Sequence, residues 1–88
     1  MSTAINPTMR LTLYGRPDCH LCHDMRAVVD TLRADVAFEL EEVDVDGDPA
    51  LAARYGEEIP VLLVNGRKAF KYRVTPGELR ARLAREPE

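Results

Sequence analysis

The chain holds two cysteines in 88 residues, and both fall in one stretch, Pro17-Asp18-Cys19-His20-Leu21-Cys22-His23. Two cysteines three positions apart across a helix start can close a disulfide. A sulfur at the helix N-terminus meets unpaired N–H groups and the positive end of the dipole, which stabilise a thiolate, while a sulfur one turn further in is shielded. The expected pair is asymmetric: Cys19 attacks, with a pKa lowered from about 8.5 into roughly the 5 to 7.5 range, and Cys22 resolves. Protonated His20 or Arg16 would favour the Cys19 thiolate and Asp18 would oppose it, whereas His23 is expected in solvent or packed beside the site. The plain alternative, two small core residues, needs an apolar setting that Asp18, His20 and His23 do not supply.

Other chemistries fit these residue types less well. Cys19 to His23 also spells Cys-x-x-Cys-His, the signature of covalent haem attachment. That chemistry needs His23 as an axial ligand, often a distal methionine, and usually export; no Met follows Met25, and the opening residues lack the basic start and apolar stretch of a signal peptide. Zinc held by Cys19, Cys22, His20 and His23 would draw every ligand from one helical turn, whereas structural zinc usually joins two separated pairs. Asp44 to Asp48 resembles the start of a calcium loop, but the sixth and twelfth positions are Pro49 and Tyr55, where Gly and Glu are required.

The elements that must position the cysteines are legible from periodicity. Residues 1–8 read as a frayed arm. Met9, Leu11 and Leu13 alternate with polar neighbours as a strand does, and Gly15 to Asp18 breaks it. Leu21, Met25, Val28, Val29 and Leu32 share one helical face, predicting a helix over 19–34. A second strand spans Phe38 to Val45, with its phase slipping at Glu41-Glu42 so that no buried face can be assigned. Asp48-Pro49 opens a short helix to about Tyr55. Ile59 to Val64 reads as a strand covered on both faces, with Pro60 at its opening, and Asn65-Gly66 as a tight hairpin. The returning strand is Arg67 to Val74, an edge strand with Phe70, Tyr72 and Val74 on one face and Lys71 and Arg73 on the other. Thr75-Pro76-Gly77-Glu78 then caps a last helix to about Arg85, in whose last turns Arg80, Arg82 and Arg85 complement the dipole. The fold class is α/β, β-α-β-α-β-β-α, a single domain over 9–85 with a tail at 86–88. One mixed four-stranded sheet, its first strand near the centre, has helices on both faces.

Tyr14-Gly15-Arg16-Pro17-Asp18-Cys19-His20-Leu21-Cys22, then Val43-Asp44-Val45-Asp46, then Tyr55-Gly56 leading to Ile59-Pro60-Val61 and Asn65-Gly66, resembles the small glutaredoxin-like branch of the thioredoxin superfamily. The resemblance spans roughly residues 9 to 83. It implies a thioredoxin fold, thiol–disulfide exchange at Cys19 and Cys22, and a cis Pro60 that faces the cysteines and, with Pro17 and His20, shapes the site. It also implies a backbone contact from Ile59 to substrate, with Arg16 and Lys71 as further substrate-binding residues. Where glutathione-binding relatives carry a Gly-Gly pair this chain has Phe70 and Lys71, and Glu57-Glu58 adds negative charge beside the expected ligand edge. Glutathione is therefore expected only as a weak co-substrate, helped by Lys71, Arg67 or Arg16, with no cofactor bound.

The expected partners are a disulfide-containing protein or a small-thiol substrate, and a reductase of the thioredoxin-reductase type as electron donor. The alternative function is a non-catalytic module of the same fold that binds a partner protein or an iron–sulfur cluster. Lys plus Arg number 12 against 15 Asp plus Glu, a net charge of −3, which argues against nucleic acid or an anionic membrane as partner. No apolar run approaches the roughly 18 residues of a spanning helix. A cytoplasmic monomer is expected, and two cysteines in that compartment call for a functional reason, because its thiol pool keeps most pairs reduced.

Overall fold

The computed structural model describes residues 9–86, so the expected arm at 1–8 lies outside the described residues. Strand β1 (Arg10–Gly15) leads to helix α1 (His20–Leu32), strand β2 (Glu39–Asp44), one turn of 3-10 helix (Val45–Gly47), helix α2 (Pro49–Tyr55), the hairpin β3 (Val61–Val64) and β4 (Arg67–Lys71), and helix α3 (Pro76–Ala84). The sheet order is β2-β1-β3-β4. β1 pairs parallel with β2 and antiparallel with β3, so the strand that delivers the cysteines is an inner one.

The sheet separates two apolar clusters. Leu11, Leu13, Leu62 and Val64 meet Met25, Val29 and Leu32 of α1 and Leu79 and Leu83 of α3. On the other face Val61 and Leu63 meet Val45 and Tyr55, with Tyr14, Leu51 and Ile59 packed at the edge. All four β3 residues are buried, as a strand covered on both faces must be. Asn65 and Gly66 take φ of 51° and 84°, the two positive angles of a tight hairpin. The Asn65 N–H donates to the Arg10 carbonyl at 2.8 Å, and its side-chain oxygen accepts from the Arg10 N–H at 2.9 Å, so the turn is tied to β1.

Several boundaries depart from expectation. β2 ends at Asp44, because Val45 turns inward to the α2 cluster as the first residue of the 3-10 turn. The phase slip in this strand also resolves: the register sets Leu40 against Leu11 and Glu42 against Leu13, on the α1 face. Glu42 occupies the rim of that face and is satisfied by Arg26 of α1, which donates to it. α1 stops at Leu32, with Arg33 as its C-cap. β3 begins at Val61, and the Ile59–Pro60 bond before it is cis. β4 ends at Lys71 instead of Val74. Leu62 pairs with Phe70 but Leu63 with Lys68, so Ala69 is an extra residue that shifts the alternation. Phe70 packs on the main core, Val74 is buried, and Tyr72 is turned out to 43% exposure instead of sharing their face.

Asp48 caps α2 through the Ala50 N–H, and Thr75 with Glu78 forms the full capping box of α3. Glu86, placed in the tail by the sequence, accepts from the Asn65 side chain at 2.7 Å and from Arg82. The hydrogen bond from Arg82, then that from Asn65, holds the Glu86 carboxyl below its ordinary range, and Lys68 does the same to Glu58. Carboxyls depressed by folding contribute stability that is complete above the unfolded-chain value of about 4.3 and is lost as pH falls through the folded one. The melting temperature is therefore expected to fall on acidification below about pH 4.3. Glu86→Gln with Glu58→Gln should give a shallower acid limb in a thermal-denaturation series; an unchanged limb would contradict this origin.

Candidate active site

The loop after β1 is shaped by tight local contacts. The Cys19 N–H donates to the Arg16 carbonyl at 3.2 Å, and the Cys19 carbonyl accepts from the His23 N–H at 3.2 Å as α1 begins. Cys19 is the N-cap residue itself, extended at φ −95° and ψ 115°, and its sulfur takes the capping role by accepting the Cys22 N–H at 3.1 Å. A sulfur placed there faces the unpaired first-turn N–H groups, the setting that stabilises a thiolate. Cys19 and Cys22 are joined in a disulfide with Cα atoms 5.2 Å apart. Cys19 is partly exposed and Cys22 only 5% exposed, the asymmetry expected of an attacker and a resolver.

Gly15 makes the inner position possible, and sequence reasoning did not single it out. A Cβ on Gly15 would lie 2.8 Å from the Cys22 sulfur, so the helix can lean on the strand only where the strand has no side chain. The detectable signal was a glycine closing a buried strand just before the loop.

Of the two histidines, His20 departs from expectation, and His23 packs beside the site, one of the two placements expected for it. His20 is 90% exposed and leans to Asp24 at 3.8 Å, one turn along the helix, instead of toward the cysteines. His23 reaches back over the loop, with its Nε2 2.6 Å from the Pro17 carbonyl. Pro17 is thus pinned from inside the helix. Arg16 is engaged elsewhere: its Nε donates to Asp46 at 2.9 Å and its Nη1 to the Gly56 carbonyl at 3.2 Å, fastening the loop to the 3-10 turn and the end of α2.

A cavity of about 440 Å³ opens beside the inner sulfur, lined by Gly15, Pro17, Cys22, His23, Arg26 and Glu42 among others. Arg26 donates to both Asp30 and Glu42, and Glu42, by its hydrogen bond and then its charge, makes the guanidinium hold its proton more tightly than usual. The Pro60 carbonyl accepts the Tyr72 N–H at 2.8 Å, which ties the cis-proline turn to the end of β4. Ile59 precedes the paired residues of β3 and packs on the α2-side cluster. Lys71 is exposed and lies 5.4 Å over the Tyr72 ring, while Phe70 is half-buried and packs against the main core. Among the described residues, no group of three His, Cys, Asp or Glu could hold a metal ion.

A mixed four-stranded sheet in this order, a cis-proline before its third strand and a Cys-x-x-Cys pair at the cap of the first helix define a thioredoxin-superfamily protein with the capacity for dithiol–disulfide redox chemistry. Residues 10–84 match the family model described as Glutaredoxin-like domain (DUF836), and the chain belongs to that family. A crystal structure of a protein from X. campestris is 40% identical, covers 88% of this chain and 99% of its own, and superposes with a TM-score of 0.73. An uncharacterized protein of Mycobacterium tuberculosis is 31% identical over 81 residues, which are 86% of this chain and 84% of the relative. A mutant thioredoxin from Halobacterium salinarum is 27% identical over 76% of this chain and 60% of its own, with a TM-score of 0.53.

Proposed function

We propose that this protein is a thiol–disulfide oxidoreductase cycling between the Cys19/Cys22 dithiol and the disulfide. The Cys19 thiolate attacks one sulfur of a substrate disulfide, forming a mixed disulfide and releasing the other sulfur as a thiolate that takes up a proton. Cys22 loses its proton and attacks the Cys19 sulfur, closing the internal bridge and releasing the second substrate thiol. The substrate gains two electrons, and an external dithiol reductant returns two to the protein. The observation that carries this reading is the Cys19 sulfur, partly exposed at the cap and accepting the Cys22 N–H. The cavity beside Cys22 gives its proton a way out.

Glutathione serves in this reading as a weak co-substrate. Phe70 and Lys71 stand where a small pair would let a peptide approach the backbone, and Arg16 is already held by Asp46 and Gly56. Glu58 is neutralised by Lys68 at 2.7 Å, so of the acidic pair Glu57 is the stronger deterrent. A reductase of the thioredoxin-reductase type is the preferred electron donor, and the cytoplasm the proposed compartment. No helix among the described residues is long and apolar enough to cross a membrane.

Equilibration in glutathione redox buffers, followed by alkylation and intact-mass measurement, tests the cycle. The expected result is a reversible bridge whose oxidised-to-reduced ratio changes tenfold per ~30 mV of buffer potential, as a two-electron couple requires. In the reduced protein Cys19 should alkylate faster than Cys22 at every pH. Equal rates across pH, or a bridge that does not respond to the buffer, would overturn the reading.

A further inference from the structure

Three chain segments meet at one end of the sheet. β1 leaves that end at Gly15, β2 leaves it at Asp44, and β3 enters it at Val61, so the last ladder pairs are Gly15 with Asp44 and Tyr14 with Val61. Beyond them, among the described residues, no backbone hydrogen bond carries the turn from Arg16 to Cys19 across to the other two segments. The Arg16 side chain spans the gap instead. Its Nε donates to Asp46 at 2.9 Å, in the 3-10 turn that follows β2. Its Nη1 donates to the Gly56 carbonyl at 3.2 Å, on the segment that runs through Ile59 and Pro60 to β3.

Both partners are shaped for this contact. The Asp46 N–H donates to the Asp44 side chain at 2.9 Å, which fixes the turn that presents the carboxylate. Gly56 has an ordinary right-handed φ of −56°, so its backbone angle does not call for glycine. Its lack of a side chain answers to space: a Cβ there would lie 2.4 Å from the Ala52 carbonyl oxygen and 3.1 Å from the Arg16 Nη2.

The residue gripped in this way also closes the cysteine turn, since the Arg16 carbonyl accepts the Cys19 N–H at 3.2 Å. The side chains of Arg16 and Asp46 are 32% and 58% exposed, and an ion pair so open to water adds little to overall stability. Its consequence is local. We propose that Arg16 is a positioning residue: its planar fork, by holding Asp46 and the Gly56 carbonyl together, keeps the Arg16–Cys19 turn closed and the Cys19 sulfur at the helix cap. The inference rests on the disulfide-exchange reading and gives Arg16 a role in it other than contact with substrate. Asp46, remote in sequence and outside the cysteine loop, becomes part of the machinery that sets Cys19 reactivity.

Two other roles for Arg16 make different forecasts. A guanidinium that stabilised the Cys19 thiolate by charge alone would act more strongly once Asp46 were removed, and a lysine would replace it. A guanidinium that held a substrate carboxylate would matter only for disulfides that carry one. The other titratable groups beside Cys19, which are Asp18 in the loop and His20 and His23 in the first turn of α1, stay unchanged in every variant used.

The test follows Cys19 alkylation against pH in the reduced full-length protein, together with reduction of bis(2-hydroxyethyl) disulfide, which is neutral, and of glutathione disulfide, which carries carboxylates. Below the wild-type midpoint Arg16→Ala should slow alkylation about tenfold, as a smaller thiolate fraction requires, and should slow reduction of both disulfides alike. Asp46→Ala should act in the same direction, and the double variant should be no slower than Arg16→Ala, because the two side chains form one contact. Arg16→Lys, which keeps the charge without the fork, should not restore the rate. Asp46→Asn, whose amide oxygen still accepts from Nε, should stay near wild type. Melting temperatures of the disulfide forms should change little.

Faster alkylation in Asp46→Ala, or full rescue by Arg16→Lys, would overturn the proposal in favour of a charge effect. Loss confined to glutathione disulfide would overturn it in favour of a substrate contact. Additive effects of the two alanine substitutions, or unchanged alkylation in all variants, would refute the clasp outright, and so would variants whose loss of reactivity merely tracks a large fall in melting temperature. Wild-type protein that reduces neither disulfide would refute the disulfide-exchange reading, while the alkylation profiles would still decide whether Arg16 positions Cys19.

Discussion

Cys19→Ser is expected to bring disulfide reduction down to the uncatalysed background, whereas Cys22→Ser should stop half-way, with one substrate fragment bound per protein molecule. The two cysteines are only three residues apart, but the fold gives them different surroundings. Cys19 is partly exposed at the helix cap, where its sulfur accepts an N–H; Cys22 lies against Gly15, 5% exposed. A serine oxygen at the cap can accept the same hydrogen bond, so Cys19→Ser should keep the helix start while losing the nucleophile, since the thiolate is the reactive form. With Cys22→Ser the first exchange proceeds and nothing inside the protein can displace the substrate. Intact-mass measurement after mixing with excess peptide disulfide distinguishes the two. A stable adduct on Cys22 in the Cys19→Ser protein would reverse the assignment of attacker and resolver.

Gly15→Ala is expected to penalise the oxidised protein more than the reduced one. The added methyl would sit 2.8 Å from the Cys22 sulfur and 3.1 Å from its Cβ, closer than side chains tolerate. Overpacking of this kind costs about 1 to 3 kcal/mol. In the reduced protein the Cys22 thiol can turn away, while in the oxidised protein its bond to Cys19 fixes it. Because ~30 mV corresponds to ~1.4 kcal/mol for a two-electron couple, the potential should move roughly 20 to 60 mV in the oxidising direction. Melting temperatures of both forms and a redox titration check this together. An equal loss in the two forms would mean that α1 shifts as a body and that the contact has no redox component.

The positions that could be read in advance are those where one residue type has one dominant local use. Asp48-Pro49 and Thr75 through Glu78 opened helices as expected, because caps are decided by a few neighbouring atoms. Asn65-Gly66 closed its hairpin for the same reason. The cysteine pair was legible because a strand, a Gly-Pro loop and a helical apolar stripe leave a single place for it. What escaped depended on contacts between distant segments. Ala69 is an ordinary residue in the sequence, and only its pairing against β3 shows the irregularity that detaches Tyr72 from the alternation. Gly15 matters because Cys22 comes to it from another element. His20 and His23 differ by one turn of helix, and their roles were decided by whether the imidazole could fold back to the Pro17 carbonyl.

The sulfur that caps α1 also couples two quantities usually measured apart. A thiolate accepts the Cys22 N–H with a full negative charge, and a disulfide sulfur accepts it with almost none. The helix start is therefore held more firmly in the thiolate state. By thermodynamic closure, the free energy by which folding favours the dithiol over the bridge must equal the difference between the unfolding free energies of the two forms, once each is referred to its own unfolded chain. Any solvent, temperature or distant substitution that loosens the first turn of α1 is thereby a redox effector, although it touches neither sulfur.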